Sequence, residues 1–416
     1  MRSPEWKVGE PGLDLAAPGF YGSGDHWDVW RQARAAHPVA WHESGRVGGF
    51  WSVTTHALGS RVIKRTKEFV STQGMRLGGN PASVRSAVHK MMVVADGADH
   101  RRIRAVHAPW FTGRAVTTMR SELEKRLSAH VDALVERNTS FDAVRELTAR
   151  FPTWVLCQMM GVPPEEWAKL ATLTDTAFDD SDQSEAAAAA RGTAHAEIFL
   201  YFADLMERRR YAPGNDVVST LVHTEVDGQR LSTKEILLNC DGLMNGGLET
   251  TPHAAAGAIL AFASYPDVWQ RVRKDPDLID GTVEEILRWT SPPMHAMRTA
   301  VADVDLGDAR VREGDQVVVW LPSCNRDETV FEHPDEFIVD RRPNPHICFG
   351  GGPHYCIGAP LARVELRCFI EVMAPRIAAF HVSGDVVRKQ SSFLNGLDRL
   401  EITMEPDTRV PAEEQR

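Results

Sequence analysis

The tightest constraint on this chain is a ten-residue run near its C-terminal end, Phe349-Gly350-Gly351-Gly352-Pro353-His354-Tyr355-Cys356-Ile357-Gly358. Glycine and proline at this density predict a loop, and the pattern that follows predicts a helix starting near Gly358. Three ordinary explanations are weighed first. A dinucleotide loop needs the GxGxxG register, and the position three after Gly352 is Tyr355. Covalent attachment of a c-type haem needs CxxCH, which does not surround Cys356. Burial as a small hydrophobe, the common fate of a lone cysteine, stays open on this run alone. The other cysteines, Cys157, Cys240, Cys324, Cys348 and Cys368, are scattered and form no CxxC pair. That argues against a disulfide framework or a structural zinc site and for a reducing, cytoplasmic setting.

Around this run the chain is patterned as a mainly α protein with a minor β-sheet region. Residues 121–136, 145–160 and 192–208 carry apolar side chains at helical spacing, and 178–184 reads as a polar helix–helix loop. Residues 236–264 are the most apolar long stretch. Asn239, Asp241, Asn245, Glu249 and His253 make it too polar to span lipid, so it is expected as one long buried helix. Residues 38–41, 49–53, 304–307 and 316–321 are strand-like, 343–352 is loop, and 360–381 is helical again. This gives a single domain over 1–416, with a helix-rich core about 99–298 and 356–381 and a small β region about 38–65 and 299–322. With 43% hydrophobic and 25% charged residues, a large core is within reach. Forty-seven Lys and Arg against 57 Asp and Glu leave a net charge of −10, a poor match to nucleic acid or an anionic membrane. The opening MRSPEWKVGEPGLDL lacks an apolar h-region, and the closing VPAEEQR lacks a lipidation signal.

Phe349, Gly352, His354, Cys356 and Gly358 fit the pattern FxxGxHxCxG, which resembles the haem-ligand loop of the cytochrome P450 family. The resemblance implies haem b (iron protoporphyrin IX) with the Cys356 thiolate as axial ligand to its iron. It implies that Phe349 shields the sulfur, that His354 meets a haem propionate, and that Gly358 and its neighbours bring backbone N–H groups to the sulfur. Four further blocks recur in family order. Glu285-Ile286-Leu287-Arg288 matches ExxR, whose ends share a helix face. In the family that pair locks structurally to an arginine, and Arg341 stands at the matching place. Gly246-Gly247-Leu248-Glu249-Thr250 resembles the oxygen-activation motif of the central helix over the haem. Glycines within a helix cost about 1 kcal/mol each relative to alanine, so a reason is expected, here room for dioxygen and haem. Glu249 and Thr250 are the implied catalytic pair, with Glu249 relaying protons. His100 and Arg104, at i and i+4, and Arg298 are the implied propionate partners.

The resemblance runs from about Asp14 to Glu405. It departs at Asn325-Arg326-Asp327-Glu328, where the family has proline last, and at Cys348, where a small apolar residue is usual. Peroxide-using members replace the acid–alcohol pair, which is present here, so a dioxygen-dependent monooxygenase is implied. No flavin or iron–sulfur segment is evident, so electrons are expected from a ferredoxin and an NAD(P)H-dependent ferredoxin reductase. Arg102, Arg114, Arg363 and Arg367 are the candidates for a positive docking face. The family's pocket positions map to Met75, Met92, Leu243, Met244, Gly247, His295, Ala296, Met297, Phe393 and Leu394, with His295 and Arg76 as polar contacts. A small organic natural product, free or carried on a carrier protein, is the expected substrate of a monomeric enzyme in secondary metabolism, including antibiotic biosynthesis. Hydroxylation leads; coupling, epoxidation, desaturation or nitration would use the same machinery. A partner-recruiting scaffold without turnover would be expected to lack the cysteine or the acid–alcohol pair. A haem sensor or electron carrier would not need a thiolate beneath an open oxygen site.

Overall fold

The computed structural model describes residues 14–24, 26–179, 182 and 184–407. The expectations about the first 13 and the last residues of the chain concern segments outside these, as do Asp180, Ser181 and Gln183 of the polar loop. Helices dominate. Gly97–His107, Gly113–Arg137, Arg150–Met160, Trp167–Phe178 and Glu185–Tyr211 follow one another, and Ile279–Thr290 and Ala359–Arg376 come later. Their apolar stripes meet in one large core, where Phe151 stacks on Phe369 at 5.6 Å.

The 236–264 stretch is two helices, Thr233–Leu248 and Thr251–Ser264, and not the single long one expected. The first begins at a capping box. The Ser232 hydroxyl accepts from Glu235 N (3.3 Å), and the Glu235 carboxylate accepts from Ser232 N (2.7 Å). The break falls at Glu249-Thr250. Pro252 has no N–H to give Leu248, and the Thr250 hydroxyl donates to the Gly246 carbonyl at 2.8 Å. Local chemistry there outweighs an apolar pattern that reads as continuous.

A five-stranded sheet lies to one side, in the order Val39–Ser44, Gly48–Val53, Gln316–Trp320, His295–Ala300, Phe69–Val70. Only the second and third of these run parallel, with Val318 opposite Ser52. The sheet is wider than expected, and the expected β region also holds the helix His56–Lys64. The helical core stops at Thr290, earlier than expected, because Ser291 takes φ 39° and Pro292 and Pro293 follow. The expected helix 360–381 also stops early, at Arg376. Ile377–Arg388 is a strand paired with Leu397–Pro406, which pairs in turn with Phe141–Asp142. Pro375 weakens the last helical turn, and the Ile377 carbonyl accepts from the Trp269 indole at 3.1 Å. Among the described residues no helix is long and apolar enough to cross a membrane.

Candidate active site

The two central helices, the 349–358 loop, the Gly97–His107 helix and the start of the sheet enclose a cavity of about 340 Å³. Its floor is the loop. Gly350 and Gly352 take φ of 69° and 64°, and a Cβ on Gly352 would stand 3.1 Å from the Lys64 Cα. Cys356 N donates to the Phe349 carbonyl at 2.9 Å, closing the loop under the sulfur. All six cysteines are free and five are buried, whereas Cys356 presents its surface to the cavity while being walled by protein elsewhere. Burial pushes its thiol up, opposed by the backbone N–H of Gly358, by Arg104 and by the N–H of Ala359. These groups stabilise the anion a metal ligand needs. Phe349 packs beside the sulfur loop under the Arg363 guanidinium, 4.8 Å from its ring centroid. Cys348 is buried and its thiol is pushed far up by burial, so it stays protonated beside the loop.

One rim of the cavity collects basic side chains. His100 and His354 stack with centroids 4.3 Å apart, and Arg104 and Arg298 line the same space. His100 Nε2 and Arg298 Nε are buried without a hydrogen-bond partner, and burial lowers Arg298 to about 10. Orphaned buried polar nitrogens are costly, and a ligand bearing carboxylates would satisfy them. His354 departs from its expected role in one respect: its Nε2 pairs with Asp96 Oδ1 at 2.8 Å. The residues present therefore fit a flat macrocycle with acidic side arms above a cysteine thiolate.

On the opposite wall the helix break brings Glu249 and Thr250 to the cavity. Burial pushes the Glu249 carboxyl up to about 7, Asp175 adds to this, and Lys389 opposes it. The two glycines divide the expected task. A Cβ on Gly246 would meet no protein atom within 4 Å, whereas one on Gly247 would stand 2.8 Å from Leu156 Cδ2. Gly246 thus opens the cavity, and Gly247 serves helix packing.

Of the expected pocket residues, Met75, Met92, Leu243, Gly247, His295, Ala296, Phe393 and Leu394 line the cavity. Met244 and Met297 do not; each is buried in a hydrophobic core. The reason is helical and strand phase, because Leu243 and Ala296 take the cavity side. His295 lines the wall without a nitrogen to spare. Its Nε2 accepts from Leu77 N at 3.0 Å and its Nδ1 donates to the Ser392 carbonyl at 2.8 Å. Arg76 lies over the Phe393 ring at 5.5 Å and is not part of the lining. Glu365 was not anticipated. It lines the cavity at 3% exposure, and burial raises it to about 8 against a hydrogen bond from Thr251. The signal is in the sequence: Glu365 falls between Leu361 and Phe369 at i−4 and i+4, on a buried stripe.

Glu285 and Arg288 are fully buried and pair bidentately at 2.7 and 2.8 Å, and Arg341 Nε reaches Glu285 at 3.1 Å. Arg288 also donates to the carbonyls of Asn325, Pro334 and Glu336, pinning the segment before the loop to its helix. Where the family has proline, Glu328 grips Arg34 at 2.7 and 2.9 Å, which holds that turn by an ion pair instead. The docking face changes most. Arg363 is held by Glu284 at 2.6 Å, Arg367 by Glu371 at 3.0 Å and by Asp280, and Arg102 by Glu235. Of the four, only Arg114 is exposed with no ion pair among the described residues.

A cysteine loop, a basic rim and a broken helix are the parts that the haem-thiolate class of proteins requires. Comparison with known proteins agrees. Residues 178–376 match the family model described as Cytochrome P450. "Cytochrome P450 NovI" of Streptomyces niveus is 34% identical over 94% of this chain and 96% of its own. Linalool 8-monooxygenase of Pseudomonas putida is 31% identical over 94% of this chain and 99% of its own. The crystal structure of P450 OxyD, involved in the biosynthesis of vancomycin-type antibiotics, superposes with a TM-score of 0.87 at 34% identity, covering 95% of this chain and all of that one. The chain belongs to the cytochrome P450 family and is a monooxygenase of that family.

Proposed function

We propose that this P450 binds haem b on Cys356 and hydroxylates a small, largely apolar natural product, free or tethered to a carrier protein. The observation that carries the reading is the cavity itself: Cys356 faces the broken helix across a rim of basic side chains, where His100 Nε2 and Arg298 Nε are buried without a partner. When bound, the haem supplies the redox centre at which dioxygen is reduced and cleaved. The protein's own residues do the rest. Cys356 would hold the group through its sulfur, and the amides of Gly358 and Ala359 favour the anion against the burial that disfavours it. His100, Arg104 and Arg298 take the carboxylates. Glu249, poised near neutrality, holds a proton beside the cavity, and the Thr250 hydroxyl, its own proton given to Gly246, offers its oxygen there as an acceptor. Substrate C–H, dioxygen, two electrons and two protons give C–OH and water. The electrons come from a separate redox partner, which we take to be a ferredoxin with its NAD(P)H-dependent reductase. The similarity to linalool 8-monooxygenase and to P450 OxyD, involved in the biosynthesis of vancomycin-type antibiotics, supports the substrate class.

The test is a screen of natural products by the spin-state shift of the haem band, followed by turnover of the best binder under labelled dioxygen with a ferredoxin system. The reading expects one labelled oxygen atom in the product. Label from water, or oxidation without oxygen gain, would overturn hydroxylation.

A further inference from the structure

The wall above the haem site is almost entirely apolar, and its polar groups are nearly all committed. Asn239 accepts from Met92 N at 2.9 Å and donates to the carbonyls of Lys90 and Glu235 at 2.8 and 2.7 Å. His295 uses both ring nitrogens, and the Thr250 hydroxyl is given to Gly246. Asn245 is different. It lines the cavity, is half-buried, and its side-chain amide makes no hydrogen bond to any described residue. Gly242, Asn245, Gly246 and Glu249 lie at i, i+3, i+4 and i+7, so Asn245 shares a helix face with the open Gly246 and with the proton-holding Glu249. An amide offers two donors and an acceptor, and leaving them unmet in an apolar pocket is unfavourable.

Building on the monooxygenase reading, we infer that Asn245 is a substrate-positioning residue that pairs with a single uncharged hydrogen-bonding group, an alcohol, phenol or carbonyl, on an otherwise apolar substrate. The group is uncharged because the arginines that line the cavity, Arg104 and Arg298, belong to the carboxylate-facing rim. An acid near Asn245 would find no counter-charge and would share its helix face with Glu249. One fixed hydrogen bond in an apolar site orients the substrate about its anchor and so selects which carbon faces the reacting oxygen.

The holoenzyme tests this with haem-ligating probes: 4-phenylimidazole and its 2-, 3- and 4-hydroxyphenyl analogues, titrated by the ligation shift of the haem band. Wild type is expected to bind at least one hydroxy analogue about threefold to tenfold more tightly than the parent, the worth of one net hydrogen bond. Asn245→Leu is expected to erase that preference without weakening the parent. Asn245→Ala is the second variant and is expected to do the same. Equal affinity for all four probes in wild type, or a preference that survives in both variants, would overturn the inference while leaving the haem spectrum intact. Absence of the ligation shift in wild type would instead overturn the haem reading, and this inference with it.

Discussion

At the scale of single residues, the site is a set of buried ionisable groups held away from their ordinary values by burial. Glu365 is the clearest case. A carboxyl whose folded-state pKa is raised holds more protons folded than unfolded between the two values. Its contribution to stability is complete below the ordinary glutamate value and is lost as pH rises through about 8. Glu249 behaves alike around 7. The thermal midpoint of the holoenzyme is therefore expected to fall from pH about 5 to about 9, and Glu365→Gln, which keeps the shape and removes the titration, should flatten that fall. Equal slopes in the two proteins would show that Glu365 is not held neutral. His295 and Asn245 teach the complementary lesson. Both line the pocket, only His295 being expected there from sequence, and hydrogen-bond accounting separates a histidine already spent on Leu77 and Ser392 from an amide with no partner among the described residues.

At the scale of elements, the central break is the decisive local structure. Gly246 and Gly247 are adjacent and chemically identical, yet their surroundings predict opposite outcomes. Gly246→Ala adds a methyl to open space and should stabilise the helix by about 0.5–1 kcal/mol while narrowing the cavity. Gly247→Ala drives a methyl toward Leu156 and should cost about 1–3 kcal/mol. Chemical denaturation of both variants measures this, and a shift of the same sign in both would contradict the division of roles. Elements were legible where their signal is local: the Gly-rich loop, the strands near 49–53 and 316–321, and the Glu285/Arg288 helix. They were illegible where pairing partners are remote. The i, i+3 apolar spacing of Ile377 and Phe380 reads as helix; it fits a strand only because the pairing with Leu397–Pro406 carries a register shift between Ile377 and Ala379. Met244 and Met297 are similar cases. A motif places its neighbourhood on the cavity, but a shift of one residue along a helix or strand turns a side chain into the core.

At the scale of the whole molecule, a net charge of −10 must meet a redox partner near the thiolate. Three of the four arginines expected to form a positive face are neutralised within the chain by Glu235, Glu284, Asp280 and Glu371. Arg363 also covers Phe349, so reversing its charge should disturb the haem loop as well as docking. Arg114→Glu is the cleaner probe, being exposed and unpaired among the described residues. It is expected to slow reduction by the redox partner and make that rate less sensitive to salt, with the haem spectrum unchanged. An unaltered rate and salt dependence would place docking elsewhere.

The proposed chemistry requires Cys356 to hold an iron porphyrin through its sulfur. The most direct measurement is the carbon monoxide difference spectrum of the reduced holoenzyme, wild type beside Cys356→Ser. Thiolate ligation predicts a band near about 450 nm in wild type that is lost in the variant. A band at shorter wavelength in wild type, or a long-wavelength band that survives the substitution, would contradict the account.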